Sequence, residues 1–106
     1  MTIESEQTGK TSMTLFFSGR LDTSTVALLE RKLKQVGDDI IELTLDLEEL
    51  SYISSMGLRV LLQAQRTMKE QGRKLFLVNM SESISEIFEM TGFIKLMTNE
   101  EKREKQ

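Results

Sequence analysis

The chain has 106 residues with 14 Lys+Arg and 17 Asp+Glu, a formal net charge of -3, and it contains no Cys, His or Trp. That length fits one domain able to bury its own core, and the missing residue types exclude disulfides, thiolate metal sites, cysteine nucleophiles and His-based acid–base catalysis. Aromatics at 6% and the acidic balance speak against a stacking platform for single-stranded nucleic acid and against binding to a phosphate backbone.

The N-terminus reads Met-Thr-Ile-Glu-Ser-Glu, with neither the basic segment nor the apolar stretch of a signal peptide. The longest apolar run, residues 75–78, falls far short of the roughly 20 residues a membrane span needs. The expectation is a cytoplasmic binding or regulatory module with no direct membrane insertion, no cofactor and no metal.

Residues 2–7 alternate weakly and predict an edge strand. Residues 12–18, with Met13, Leu15, Phe16 and Phe17, predict its hairpin partner across Gly9 and Lys10, closed by Gly19. From Thr23 the period becomes helical, through Val26, Leu29, Leu33 and Val36, with Asp22, Thr23 and Ser24 as cap candidates and Gly37 as a stop. Asp38 and Asp39 read as turn chemistry. Ile41, Leu43, Leu45 and Leu47 then alternate with Glu42, Thr44 and Asp46, which predicts a strand with one buried face, and a loop through Leu50 and Tyr52 follows. Leu58, Leu61, Leu62, Gln65 and Met68 lie near one helical face, ended by Gly72. Residues 74–79 predict another strand. Ser83 and Glu86 have the spacing of a capping box and introduce a helix carrying Ile84, Ile87 and Phe88, ended by Gly92. Residues 94–97 predict a last strand, and 99–106 a polar tail. The order β-β-α-β-α-β-α-β favours parallel crossovers, hence one α/β domain with helices packed on a sheet.

Few places carry chemistry. The glycines at 9, 19, 37, 57, 72 and 92 are too far apart for a dinucleotide fingerprint or a P-loop. Asp22, Asp46, Glu48 and Glu49 offer carboxylates at strand ends, where solvated surface is the ordinary reading and general acid–base work the rarer one. Ser54 and Ser55 open a helix, where free N–H groups and a partial positive charge sit. They read either as an N-cap or as a modification site whose phosphate the helix start would tolerate, with Arg59 a turn away. Met56 offers an adaptable apolar contact, and Gly57, unfavourable inside a helix, points to close packing or a low-relief surface. Residues 55–74 hold five bases against the single acid Glu70, while 81–91 hold Glu82, Glu86 and Glu89 and no base. Such unevenness is either ordinary solvated helix surface or a polarised docking face.

The segment Leu45-Asp46-Leu47, then Leu50-Ser51-Tyr52-Ile53-Ser54-Ser55-Met56-Gly57-Leu58-Arg59-Val60-Leu61-Leu62, resembles the signature of the STAS family, and in particular of bacterial anti-sigma factor antagonists. Ser18-Gly19-Arg20-Leu21-Asp22 and Phe88-Glu89-Met90-Thr91-Gly92-Phe93 resemble two further family elements, so the similarity runs from about residue 3 to 98. It implies a STAS-like single α/β domain over residues 1–98, with a four- to five-stranded mixed sheet and alternating helices packed on it. It implies no catalysis. In that family the unmodified antagonist binds an anti-sigma factor that is a serine kinase, the kinase phosphorylates a serine at a helix start, and a serine phosphatase restores the antagonist. The acceptor maps to Ser55, with Ser54 as the second candidate, and many relatives carry Asp where Ser54 stands. Asp22, Ser54, Met56, Gly57 and Arg59 map as partner-binding or site-supporting residues. The alternative function is a STAS accessory subunit that binds a membrane transporter ATPase without a phosphorylation switch, and a third reading is hydrolysis by carboxylates or serine.

Overall fold

The computed structural model describes residues 1–90. Its elements are β1 (Thr2–Gln7), β2 (Ser12–Leu21), α1 (Val26–Gln35), β3 (Glu42–Ile53), α2 (Ser55–Glu70), β4 (Lys74–Val78) and α3 (Glu82–Met90). The strands form one sheet in the order β1-β2-β3-β4. β1 and β2 are an antiparallel hairpin, and β2–β3 and β3–β4 are parallel, so the sheet is mixed as expected. The strand expected at 94–97, the stop at Gly92 and the polar tail lie outside the described residues.

Register explains which way the side chains face. Leu15, Leu45 and Leu77 stand abreast across three strands, as do Met13, Leu43 and Leu75. This face, with Ile3, Phe17 and Leu47, forms one core with Leu29 of α1, Leu58, Leu61 and Met68 of α2, and Ile84 and Phe88 of α3. All three helices therefore bury their apolar stripes against the same side of the sheet. Each fully buried Leu or Phe contributes about 1.5–3 kcal/mol relative to exposure. Gln65 shares the buried side of α2, as its spacing predicts.

The strands near the middle of the chain run longer than the alternation suggests. Gly19 does not close β2, and β3 continues through the expected loop to Ile53. Between Phe16 and Ser18 of β2, the partners advance from Asp46 to Glu49, and between Gly19 and Arg20 from Leu50 to Tyr52. β3 thus holds two extra residues, each a bulge that increases twist. The buried positions become Leu47, Leu50 and Ile53, spaced by three, which hides the strand from a period-two reading. Gly19 meets this distortion with a φ of 104°, and its carbonyl accepts the Ser51 hydroxyl at 3.0 Å.

Helix ends differ in detail. α1 starts at Val26 because residues 22–25 form a turn first, with the Thr25 and Val26 N–H groups donating to the Asp22 carbonyl at 3.0 and 2.9 Å. Gly72, at φ 75°, ends α2 as expected, its N–H donating to the Lys69 carbonyl at 3.0 Å. Arg73 then ties this end to the α1–β3 loop, donating to the carbonyls of Ile40 (2.7 Å) and Gly37 (2.9 Å). The cap of α3 is Ser81, whose hydroxyl accepts the Ile84 N–H at 3.2 Å, and Ser83 lies inside the helix. Asn79 turns the chain at φ 59° directly after β4, so the helix begins early enough for the first serine to win.

Candidate functional site

The parallel ladder of β2 and β3 ends on the pair Leu21–Ile53. It gains one more rung, because the Ser54 N–H donates to the Leu21 carbonyl at 2.9 Å. The chain then turns into α2. Ser54 is its N-cap, with extended backbone (φ -90°, ψ 171°) and a side-chain oxygen that accepts the Gly57 N–H at 3.2 Å. The Ser54 carbonyl accepts the Leu58 N–H at 2.9 Å. Ser55 is the first helical residue and is exposed, and its hydroxyl has no hydrogen-bond partner among the described residues. The two hydroxyls have different surroundings: the first holds the backbone and the second is left to solvent.

Gly57 explains how α2 comes to start so close to the sheet. A Cβ there would lie 2.8 Å from Leu21 Cγ and 3.1 Å from Ile53 Cγ1, inside contact distance of two side chains that are 0% and 3% exposed. Of the two readings of this glycine, close packing holds: it supports the site from beneath and presents no surface. Met56, its neighbour, is 43% exposed and does present surface.

Asp22 follows Leu21 directly, so the Leu21–Ser54 bond places it at the start of α2. Its Oδ1 accepts the Ser24 hydroxyl at 2.7 Å and the Ser24 N–H at 3.0 Å, and the Thr25 hydroxyl lies at 3.3 Å. Arg20 Nε stands 3.5 Å from Oδ2. The Ser24 hydroxyl above all holds the Asp22 carboxyl below its ordinary value, with the Ser24 N–H, Thr25 and the Arg20 charge in support and a smaller opposing pull from desolvation. Arg20 also stacks over the Tyr52 ring, 4.2 Å from its centroid. Tyr52 is 38% exposed, and since Arg20 and Tyr52 alternate with the buried Leu21 and Ile53, this stacked pair lies on the sheet face opposite α2.

Arg20, Thr25 and Tyr52 are not site candidates in the sequence, and Ser24 enters it only as a cap candidate. The Arg20–Tyr52 pairing depends on the two bulges, and no local signal announces it. Asp46 does not join them. It pairs with Phe16, six positions before Asp22 and on the order of 20 Å away along an extended strand. Its oxygens are taken by the Glu48 N–H at 3.0 Å and the Asn79 amide at 3.1 Å. Asp22 and Asp46 therefore do not form a carboxylate pair, and no group of three or more metal-ligating side chains occurs among the described residues. Arg59 is exposed on α2, one turn beyond Ser55, and makes no ion pair among the described residues. A cavity of about 520 Å³ opens between α1 and α2, floored by Leu43, Val60 and Met68, and none of the candidate site residues lines it. No helix among the described residues is long and apolar enough to cross a membrane.

Comparison with known proteins bears on the family and the fold. The family model of the STAS domain matches residues 2–105. The anti-sigma-B factor antagonist of Bacillus subtilis (strain 168) is 32% identical over 75 residues, 71% of this chain and 69% of that protein. That of Listeria monocytogenes is 30% identical over 94 residues, 87% of this chain and 82% of that protein. Among solved structures, the Bacillus cell fate determinant SpoIIAA in its phosphorylated form has the same fold, with a TM-score of 0.73 at 19% identity over 91% of this chain and 88% of that one. With the mixed sheet, the one-sided helix layer and the matching sequence signature in place, the chain belongs to the STAS domain family.

Proposed function

We propose that this protein is an anti-sigma factor antagonist, a binding module without catalysis of its own, that engages a serine kinase acting as anti-sigma factor and is released by phosphorylation of Ser55. The observation that carries the reading is the division of labour at the start of α2: Ser54 satisfies the backbone, and Ser55 is exposed with an unengaged hydroxyl. The relatives named as anti-sigma-B factor antagonists support the partner class.

In this reading the unmodified docking face consists of Met56, Asp22 and Arg59 around Ser55. Ser55 Oγ attacks the γ-phosphorus of ATP held by the kinase. A new O–P bond forms, the bond to the β,γ-bridging oxygen breaks, ADP leaves, and the hydroxyl proton passes to a base on the kinase. The product carries about -1.5 to -2 charges in the middle of the contact face, beside the Asp22 carboxylate. Repulsion and desolvation of about 1.4–3 kcal/mol weaken binding roughly ten- to a hundredfold. A serine phosphatase hydrolyses the ester and resets the module. Such a cycle operates in the cytoplasm on residues 1–98.

Incubation with the cognate kinase and ATP tests this. Intact mass should show one added phosphate on the wild type and none on Ser55→Ala. Uptake by Ser55→Ala equal to wild type overturns the assignment.

A further inference from the structure

We infer that Arg59 is the intramolecular partner of the phosphorylated Ser55, a positioning residue that folds the phosphate down along α2 and withdraws its own charge from the docking face. The inference rests on the proposed modification of Ser55 and adds to it what the modified state looks like.

Residues four apart share a helix face, about 5–6 Å between Cβ atoms. In the unmodified chain Arg59 borders a depression with Leu62, Gln63 and Arg66, and a change of rotamer toward the N-terminus, the direction long helical side chains favour, brings its guanidinium over the turn that holds Ser55. Nothing on its own helix competes for it. The positions three and four away are Ser55, Met56, Leu62 and Gln63, none of them acidic. The first turn of α2 carries no acidic residue either, so its positive end is uncompensated. Arg66 lies two turns further from Ser55, with the acid Glu70 four residues beyond it in sequence, and Arg20 is engaged by Asp22 and Tyr52. A cation without a partner beside a helix start without an anion is the arrangement that a dianion on Ser55 completes. The guanidinium fork also matches phosphate oxygens in geometry. One event then changes the docking face twice: an anion appears and the exposed cation is neutralised.

The test uses the full chain with phosphoserine placed at 55 during translation, so that it does not depend on any kinase. The second ionisation of the phosphate is followed by phosphorus NMR across pH. An exposed pair of this spacing lowers that pKa by about 0.3 unit in wild type relative to Arg59→Gln, and Arg59→Lys, which keeps the charge, should recover most of the difference. Added salt should shrink it. Titration of wild type and Arg59→Gln within about 0.1 unit of each other overturns the inference. The unmodified Arg59→Gln chain should melt with wild type, since the side chain is exposed and unpaired. Failure of a kinase to modify Ser55 would sink the proposed function, whereas this measurement would still decide the role of Arg59.

Discussion

Replacing each of the two serines by alanine separates backbone support from chemistry. Ser54→Ala removes the oxygen that accepts the Gly57 N–H at 3.2 Å. Loss of an N-cap serine costs about 1 kcal/mol, within a range of roughly 0.5–2, and for a domain of this size 1 kcal/mol lowers Tm by about 4–8 °C. Ser55 makes no described side-chain bond and stands at the first helical position, where Ala is as good a helix former or better. Ser55→Ala should therefore stay within about 0.5 kcal/mol of wild type. Urea unfolding followed by circular dichroism gives the stabilities, and intact mass after kinase treatment gives the modification. The expected pattern is crossed: stability is lost with Ser54 and phosphate uptake with Ser55. Ser54→Asp serves as a control, because Asp caps as well as Ser and should keep the stability. If Ser55→Ala loses about 1 kcal/mol while Ser54→Ala loses nothing, the assignment of cap and acceptor is reversed and the argument built on it fails.

Gly57→Ala should destabilise the protein by about 1–2 kcal/mol in a denaturant titration, since overpacking against Leu21 and Ile53 outweighs the gain in helix propensity; a variant as stable as wild type would mean that the helix start is not pressed against the sheet. Asp22 bears on acid stability. Its folded-state pKa is depressed, so its bonds contribute fully above the unfolded value near 4 and are lost as pH falls through the lower folded value. The Tm gap between wild type and Asp22→Asn should favour wild type at pH 6–7 and close on acidification, and a gap independent of pH would refute this.

Much of the fold is legible in the sequence because apolar spacing is a direct consequence of burial. Val26, Leu29 and Leu33 announce α1, Leu58, Leu61 and Met68 announce α2, and the alternation from Ile41 to Leu47 announces half of β3. The other half is not legible, since bulges space Leu47, Leu50 and Ile53 by three and imitate a loop. The same bulges hide the Arg20–Tyr52 contact, which depends on a register between strands separated by a helix. Ser81 and Ser83 show a smaller ambiguity: two serines two residues apart satisfy the same local rule, and the turn at Asn79 decides between them. At the candidate site the resemblance ranks Ser55 above Ser54 as the proposed acceptor. The backbone path, with Ser54 extended and Ser55 helical, adds a difference in local geometry that the spacing of residues does not carry.

The bond from the Ser54 N–H to the Leu21 carbonyl has a consequence for timing. The serine next to it is mounted on the last tie of a stiff lattice, not on a loop that must search for its conformation. A group added there meets a backbone that β2 already holds in place. In the proposed cycle, the lifetime of a phosphate on Ser55 is then set by the enzymes that would add and remove it, while the scaffold itself keeps no record.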